Sequence, residues 1–167
     1  MEVRDNAAEL FVAACFAEAG WNVYFPHRDK GFDFIVSKDL GDGRQVLRPV
    51  QVKGKYPSDA KTKKTVYGFV GRLSEIHPDM VLAIPYYSSA QSHHPKFVAY
   101  MPRCELRDHS KGYRCQPASF RASEPEIRPG FRGFFDGSGL ALLEEEGWST
   151  RPAENYGWLE RAEEPGS

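Results

Sequence analysis

The stretch Gly31-Phe32-Asp33-Phe34-Ile35-Val36, followed by Gly41-Asp42-Gly43 and the return run from Val46 to Lys53, sets the architecture of this chain. β-Branched and aromatic residues suit a pleated, half-buried surface, and Gly-Asp-Gly is turn chemistry. The two runs, Phe32 to Val36 and Val46 to Lys53, are expected to pair as a hairpin. Pro49 has no amide hydrogen, so its part of the second strand belongs at an edge or a bulge.

Outward from the hairpin, Asp5 to Ala19 reads as a helix, with Asp5 or Asn6 as N-cap and Gly20 as its stop. Apart from Glu9, the run from Ala7 to Ala17 is apolar on nearly every side, which predicts a helix covered on more than one face. Trp21 to Phe25 reads as a strand closed by Pro26. Gly54 to Lys64 reads as a polar, basic loop, and Val66 to Ile76 as a strand end with a short helix over Gly71 to Ile76. Met80 to Tyr87 and Lys96 to Met101 read as buried strands. This order defines an α/β core over residues 1–102. Residues 103–167, interrupted by Pro117, Pro125 and Pro129, are expected to form an irregular extension packed on that core. A short helix is expected there at Leu140 to Glu146, and a frayed tail from Glu160.

At 167 residues, 41% apolar and 27% charged, the chain is sized and composed for about one globular unit. Cys15, Cys104 and Cys115 show no CxxC or Cys/His ligand spacing, which argues against a disulfide framework or a structural zinc site. The sequence shows no signal-peptide layout and no long apolar run, so a cytoplasmic protein without a membrane partner is expected. The formal charge of −1 hides an uneven distribution. From Arg44 to Arg72 eight cations face one anion, Asp59, for a net +7, whereas Glu144 to Glu164 carries −5. No Walker loop, GxSxG elbow or HExxH is present.

Three positions within this frame are chemically conspicuous. Asp33 is the one charged residue in an apolar strand, where a carboxylate needs a cation, a metal or hydrogen bonds. Side chains alternate along a strand, so Gln51 and Lys53 share one face while Val50 and Val52 take the other. Glu9 interrupts the apolar helix. Taken singly, these residues also admit plainer readings: an Asp33–Lys53 ion pair, an edge strand with one wet face, and a solvated glutamate beside Glu2 and Asp5. Taken in order, Glu9, Asp33, Gln51 and Lys53 form a set on a helix, a strand and the strand's neighbour.

At these residues the sequence resembles the PD-(D/E)xK nuclease superfamily, and most closely its archaeal Holliday-junction-resolvase-like branch. Gly31-Phe32-Asp33 stands at the metal-binding Asp, Gln51-Val52-Lys53 at (Asp/Glu)-x-Lys, and Glu9 at the first-helix Glu. The likeness spans roughly residues 5–102. It implies a restriction-endonuclease-like core, with a central mixed sheet of about five strands flanked by helices. It also implies an endonuclease that hydrolyses phosphodiester bonds in DNA rather than RNA, with a homodimer expected.

Glu9, Asp33, the Gln51 side-chain oxygen and the Val52 carbonyl are then hard oxygen ligands for Mg²⁺ or Mn²⁺, with Lys53 as the catalytic cation. Lys55, Lys61, Lys63 and Lys64, with Arg28 and Lys30, are candidates for phosphate contacts. The departure is Gln51, which replaces an acid and brings no negative charge. The alternative is a nucleic-acid- or protein-binding module of the same fold, weak in cleavage or without it.

Overall fold

The expected hairpin forms. In the computed structural model, β2 (Phe34–Asp39) and β3 (Gln45–Val52) pair antiparallel from Phe34↔Val50 to Asp39↔Gln45. Gly41, Asp42 and Gly43 all adopt positive φ, and Leu40 and Arg44 close the turn with a 3.0 Å hydrogen bond from the Leu40 amide. The structure describes residues 3–28, 31–57, 68–73 and 77–149. The expected basic loop beyond Pro57, residues 74–76 of the expected short helix and the tail from Glu160 fall outside them; of the rest of that helix, Gly71 instead ends a strand, its φ of +80° being unfit for a helix, and Arg72 and Leu73 are not helical.

Five strands form one mixed sheet in the order β1-β2-β3-β5-β6, with β1 at Asn22–Tyr24, β5 at Val81–Tyr86 and β6 at Phe97–Pro102. β3 and β5 run parallel and the other neighbours run antiparallel. Every residue of β5 and β6 is buried, as their unbroken apolar runs predict.

Pro49 lies in an interior strand rather than at the rim of the sheet. The reason it fits is local. Val50 accepts from Asp33 on the β2 side and Lys53 donates to Ala83 on the β5 side, so odd-numbered residues of β3 turn their backbone toward β5. Pairing with β5 starts only at Val50, and Pro49 therefore omits its N–H where no strand lies opposite among the described residues.

α1 (Val3–Glu18) covers one face of the sheet and differs from the expectation of burial all round. Only Ala8, Val12, Ala13 and Phe16 are buried, a single stripe at helical spacing, while Leu10 is 54% and Val3 88% exposed. Ala7, Ala14 and Ala17 face solvent too, because alanine favours the helix without needing burial. The buried stripe packs on Phe34, Val36, Val50, Val52, Val81, Ala83 and Tyr100. Phe16 meets Trp21, Phe34 and Tyr100 edge-on with ring centroids 5.4–6.0 Å apart.

The opposite face, with Leu82, Ile84, Tyr86, Ala99 and Met101, is covered mainly by chain beyond Pro102 rather than by helices. That chain has more regular structure than its prolines and glycines suggest. β7 (Arg107–His109) and β8 (Gly112–Arg114) form a sheet with β4 (Phe69–Gly71), and β9 (Ala118–Arg121) pairs with β10 (Glu124–Ile127). A 3₁₀ turn at Pro129–Phe134 leads to α2 (Asp136–Leu142), which begins and ends earlier than the expected Leu140 to Glu146 helix. Phe134, Phe135 and Leu142 join this second cluster, whereas Leu143 and Trp148 reach around to the α1 face. Cys15, Cys104 and Cys115 are all unbridged.

Candidate functional site

The site begins where β2 begins. Asp33 precedes the first residue of that strand, and its amide donates to the Val50 carbonyl at 2.9 Å. The Val52 N–H, one step past the last pair of the β2–β3 ladder, is met at 2.6 Å by the Asp33 carboxylate. A side-chain oxygen thus takes the place of a missing backbone acceptor, which is how an acid is accommodated at the head of an apolar strand. Because N–H and C=O of one extended residue point the same way, the Val52 carbonyl is aimed to the Asp33 side as well.

Past β3 the chain continues beside β5. Lys53 donates from its backbone to Ala83 and Lys55 to Pro85, both at 2.9 Å. This extension fixes Lys53 at the floor of a cleft of about 520 Å³ lined also by Arg4, Asp5, Glu9, Asp33 and Tyr56. Glu9 enters from the first half of α1, one turn after Asp5. Glu9 and Asp33 are hydrogen-bonded. Burial, followed by the Asp33 charge, that hydrogen bond and the Asp5 charge, pushes the Glu9 carboxyl up to about 7, while Lys53 pulls in the opposite direction. Two carboxyl groups this close hold one proton between them more readily than two negative charges.

Three of the four residues singled out by the sequence, Glu9, Asp33 and Lys53, therefore line one cleft. Gln51 does not. Its neighbours Val50 and Val52 face α1, and its ladder partner Leu82 belongs to the cluster on the opposite face. Gln51 is 4% exposed, and its side-chain nitrogen donates to the Gly31 carbonyl. The amide secures the turn that delivers Asp33 two residues later.

The expected phosphate contacts divide. Arg28 is exposed, whereas Lys30, Lys61, Lys63 and Lys64 lie outside the described residues. Lys55, expected on a solvent-facing loop, is only 9% exposed, and its ammonium donates to the Phe69 carbonyl, tying β4 to the end of β3. Arg48, counted among the basic stretch, is also buried. Its guanidinium donates to the Leu143 carbonyl at 3.1 and 3.2 Å and to that of Glu145 at 3.3 Å, and lies over the Trp148 ring.

Two cleft residues escaped the sequence reading. Tyr56 is buried and stacks on Tyr87 with centroids 4.4 Å apart, and the Arg4 guanidinium sits 4.1 Å from the centre of the Tyr56 ring. The only signal for Arg4 was its place next to Asp5, one turn before Ala8 and Glu9 on the helix. Tyr56 gave none.

The donor set suits a hard divalent cation in kind: the Glu9 and Asp33 carboxylates and the Val52 carbonyl are all oxygens. Among the described residues, no group of three or more His, Cys, Asp or Glu side chains is arranged to hold a metal. Among the described residues no helix is long and apolar enough to cross a membrane. Comparison with protein-family models, with curated proteins and with solved structures returned no significant match.

Proposed function

We propose that this chain is a divalent-metal-dependent nuclease with a restriction-endonuclease-like core, hydrolysing phosphodiester bonds in DNA rather than RNA. The observation that carries the reading is the meeting of Glu9, Asp33 and Lys53 in one cleft, from a helix, a strand start and a strand end. Mg²⁺ or Mn²⁺ held by Glu9, Asp33 and the Val52 carbonyl would polarise a phosphoryl oxygen and lower the pKa of a bound water. Asp33 is kept in place by the Val52 amide. Glu9 would give up its proton on becoming a ligand to such an ion. Lys53 sets an ammonium where negative charge gathers on the phosphorus in the transition state. Gln51 acts at a distance, as the positioning residue for the Gly31 turn, and not as the ligand that the sequence pattern suggests.

Nicking of supercoiled plasmid in Mg²⁺ or Mn²⁺ tests this reading. Wild type is expected to nick, and Lys53→Ala and Asp33→Asn are each expected to lose at least about 100-fold in rate. Nicking that survives both substitutions overturns the assignment. The second reading, a binding module of the same fold without cleavage, is favoured by the neutral Gln51 and its engagement with Gly31. Salt-sensitive DNA binding without nicking would select it. A homodimer is part of the proposal, since one small domain covers few base pairs, and light scattering reads it directly.

A further inference from the structure

The small sheet formed by β4, β8 and β7, in that order, has two unlike faces. Register and the alternation of side chains along a strand sort its residues between them. Tyr113 on β8 packs against the core in which Val70, Leu106 and Cys115 are buried. Its neighbours along the strand belong to the other face. Arg114 lies opposite Arg107 of β7 on one side and Phe69 of β4 on the other, and Gly112 lies opposite His109. The outer face therefore carries Phe69, His109, Arg107 and Arg114, the first two half-buried and both arginines exposed.

Like charges directly opposite each other destabilise a strand pair. Among the described residues no carboxylate is paired with either arginine. The ion pairs fall at Lys38, Arg48, Lys96 and Arg121, and the Arg114 guanidinium donates to the Gln116 side-chain oxygen at 3.3 Å. Two opposed guanidiniums so placed leave room for an anion from outside the chain. Gly68 gives Arg114 its direction. A Cβ there would come within 2.9 Å of the Arg114 Cγ and Nε, so the bare backbone lets the arginine lie over the start of β4.

That strand is also a wall of the cleft. Phe69, Val70 and Gly71 line it beside Glu9, Asp33 and Lys53. The Phe69 ring meets the His109 ring with centroids 4.9 Å apart, so Phe69 belongs to the cleft wall and to the outer face at once. β4 is held firmly between the two: the Lys55 ammonium donates to the Phe69 carbonyl, and the Cys115 amide to the Gly68 carbonyl at 2.7 Å.

We propose that the outer face of this sheet, through Arg107 and Arg114, binds backbone phosphates of a nucleic-acid strand where it leaves the cleft. The proposal rests on the reading of the cleft as a nucleic-acid site, and it gives a task to the chain beyond Pro102. A guanidinium fork matches paired phosphate oxygens, and a polyanion laid across both arginines relieves their repulsion. Such contacts add affinity and fix the path of the strand without reading its bases.

The test is the anisotropy of a fluorescein-labelled 25-base-pair duplex bound by the whole chain across a KCl series, with plasmid nicking in Mg²⁺ or Mn²⁺ run in parallel. Arg107→Gln and Arg114→Gln are each expected to lower the slope of log K against log salt by about 0.9, and the double variant by about 1.8. Arg114→Lys should keep the wild-type slope, since an ammonium also neutralises a phosphate. Arg121→Gln, on β9 and away from this face, should leave it unchanged. Removing one of two opposed like charges should hold or raise the thermal midpoint.

A wild-type slope in the double variant overturns the proposal, as does a midpoint that falls in step with binding, which would mark the arginines as merely structural. Poly-L-glutamate binding that the double variant loses, with duplex binding kept, assigns the face to an acidic protein and overturns it too. If wild type binds the duplex without nicking, the nuclease reading fails while the slopes still decide on this face. If it neither binds nor nicks, both fail.

Discussion

Arg48 within β3 and Lys53 just past its end, five residues apart, are treated in opposite ways by the protein. Arg48 is 7% exposed and sealed among the Leu143 and Glu145 carbonyls, the Asp79 carboxylate at 3.6 Å and the Trp148 ring. Lys53 lines an open cleft beside two carboxyl groups that share a hydrogen bond. The first arrangement satisfies charge with fixed dipoles from one segment and holds the chain around 143–148 against the sheet. The second leaves opposing charges in a solvent-reachable space whose balance a ligand can change. A cation's use is therefore set by what surrounds it, and one stretch of chain can serve both architecture and chemistry.

The contrast is broken most directly at the cleft. Lys53→Ala is expected to cost at least about 100-fold in nicking rate while moving unfolding free energy by no more than about 0.5 kcal/mol, because the lysine lines an open cleft. Arg48→Met should do the reverse. Leaving the Leu143 carbonyl without its donor is expected to cost about 3 kcal/mol in urea unfolding, with nicking per folded molecule retained. Equal losses of stability in the two variants would abolish the distinction.

A smaller effect follows from the Glu9 proton. In the metal-free protein this carboxyl titrates near 7, above the 4.5 of an unperturbed group. The folded state then binds more protons than the unfolded state across that window, so this group's contribution to stability falls as pH rises from about 4.5 to 7. Glu9→Gln should flatten that part of the pH–stability curve. Mn²⁺ binding, which must displace the proton, should strengthen over the same range. The least effect is expected on the outer face of α1, where Leu10→Glu should change unfolding free energy by no more than about 0.5 kcal/mol. A larger loss there would mean that the outer face is covered in solution.

Much of the frame was legible because its signals are local. The Gly41-Asp42-Gly43 reversal fixes the hairpin, and the unbroken apolar runs of β5 and β6 announce strands buried on both faces. Glu9, Asp33 and Lys53 stood out as charges where apolar residues were due. What stayed hidden depends on distance. The Leu143 carbonyl that holds Arg48 is 95 residues away, so the arginine reads like any other cation of a basic stretch. Alternation put Gln51 on a face with Lys53, but it could not say which face α1 would cover. Ala7, Ala14 and Ala17 count as apolar in a pattern and yet need no cover. The chain beyond Pro102 hides its strands in pieces of three or four residues, too short for any period to emerge.

The placement of Pro49 has a consequence for how this molecule behaves in a crowd. Between Gln45 and Pro49 one flank of β3 has no neighbouring strand among the described residues, and Leu47 on that segment is 55% exposed. Such a flank invites another chain to add itself and begin an aggregate. A residue that cannot donate stands at its inner end, and the two remaining outward amides, at Gln45 and Leu47, are too few to template a lasting foreign pairing.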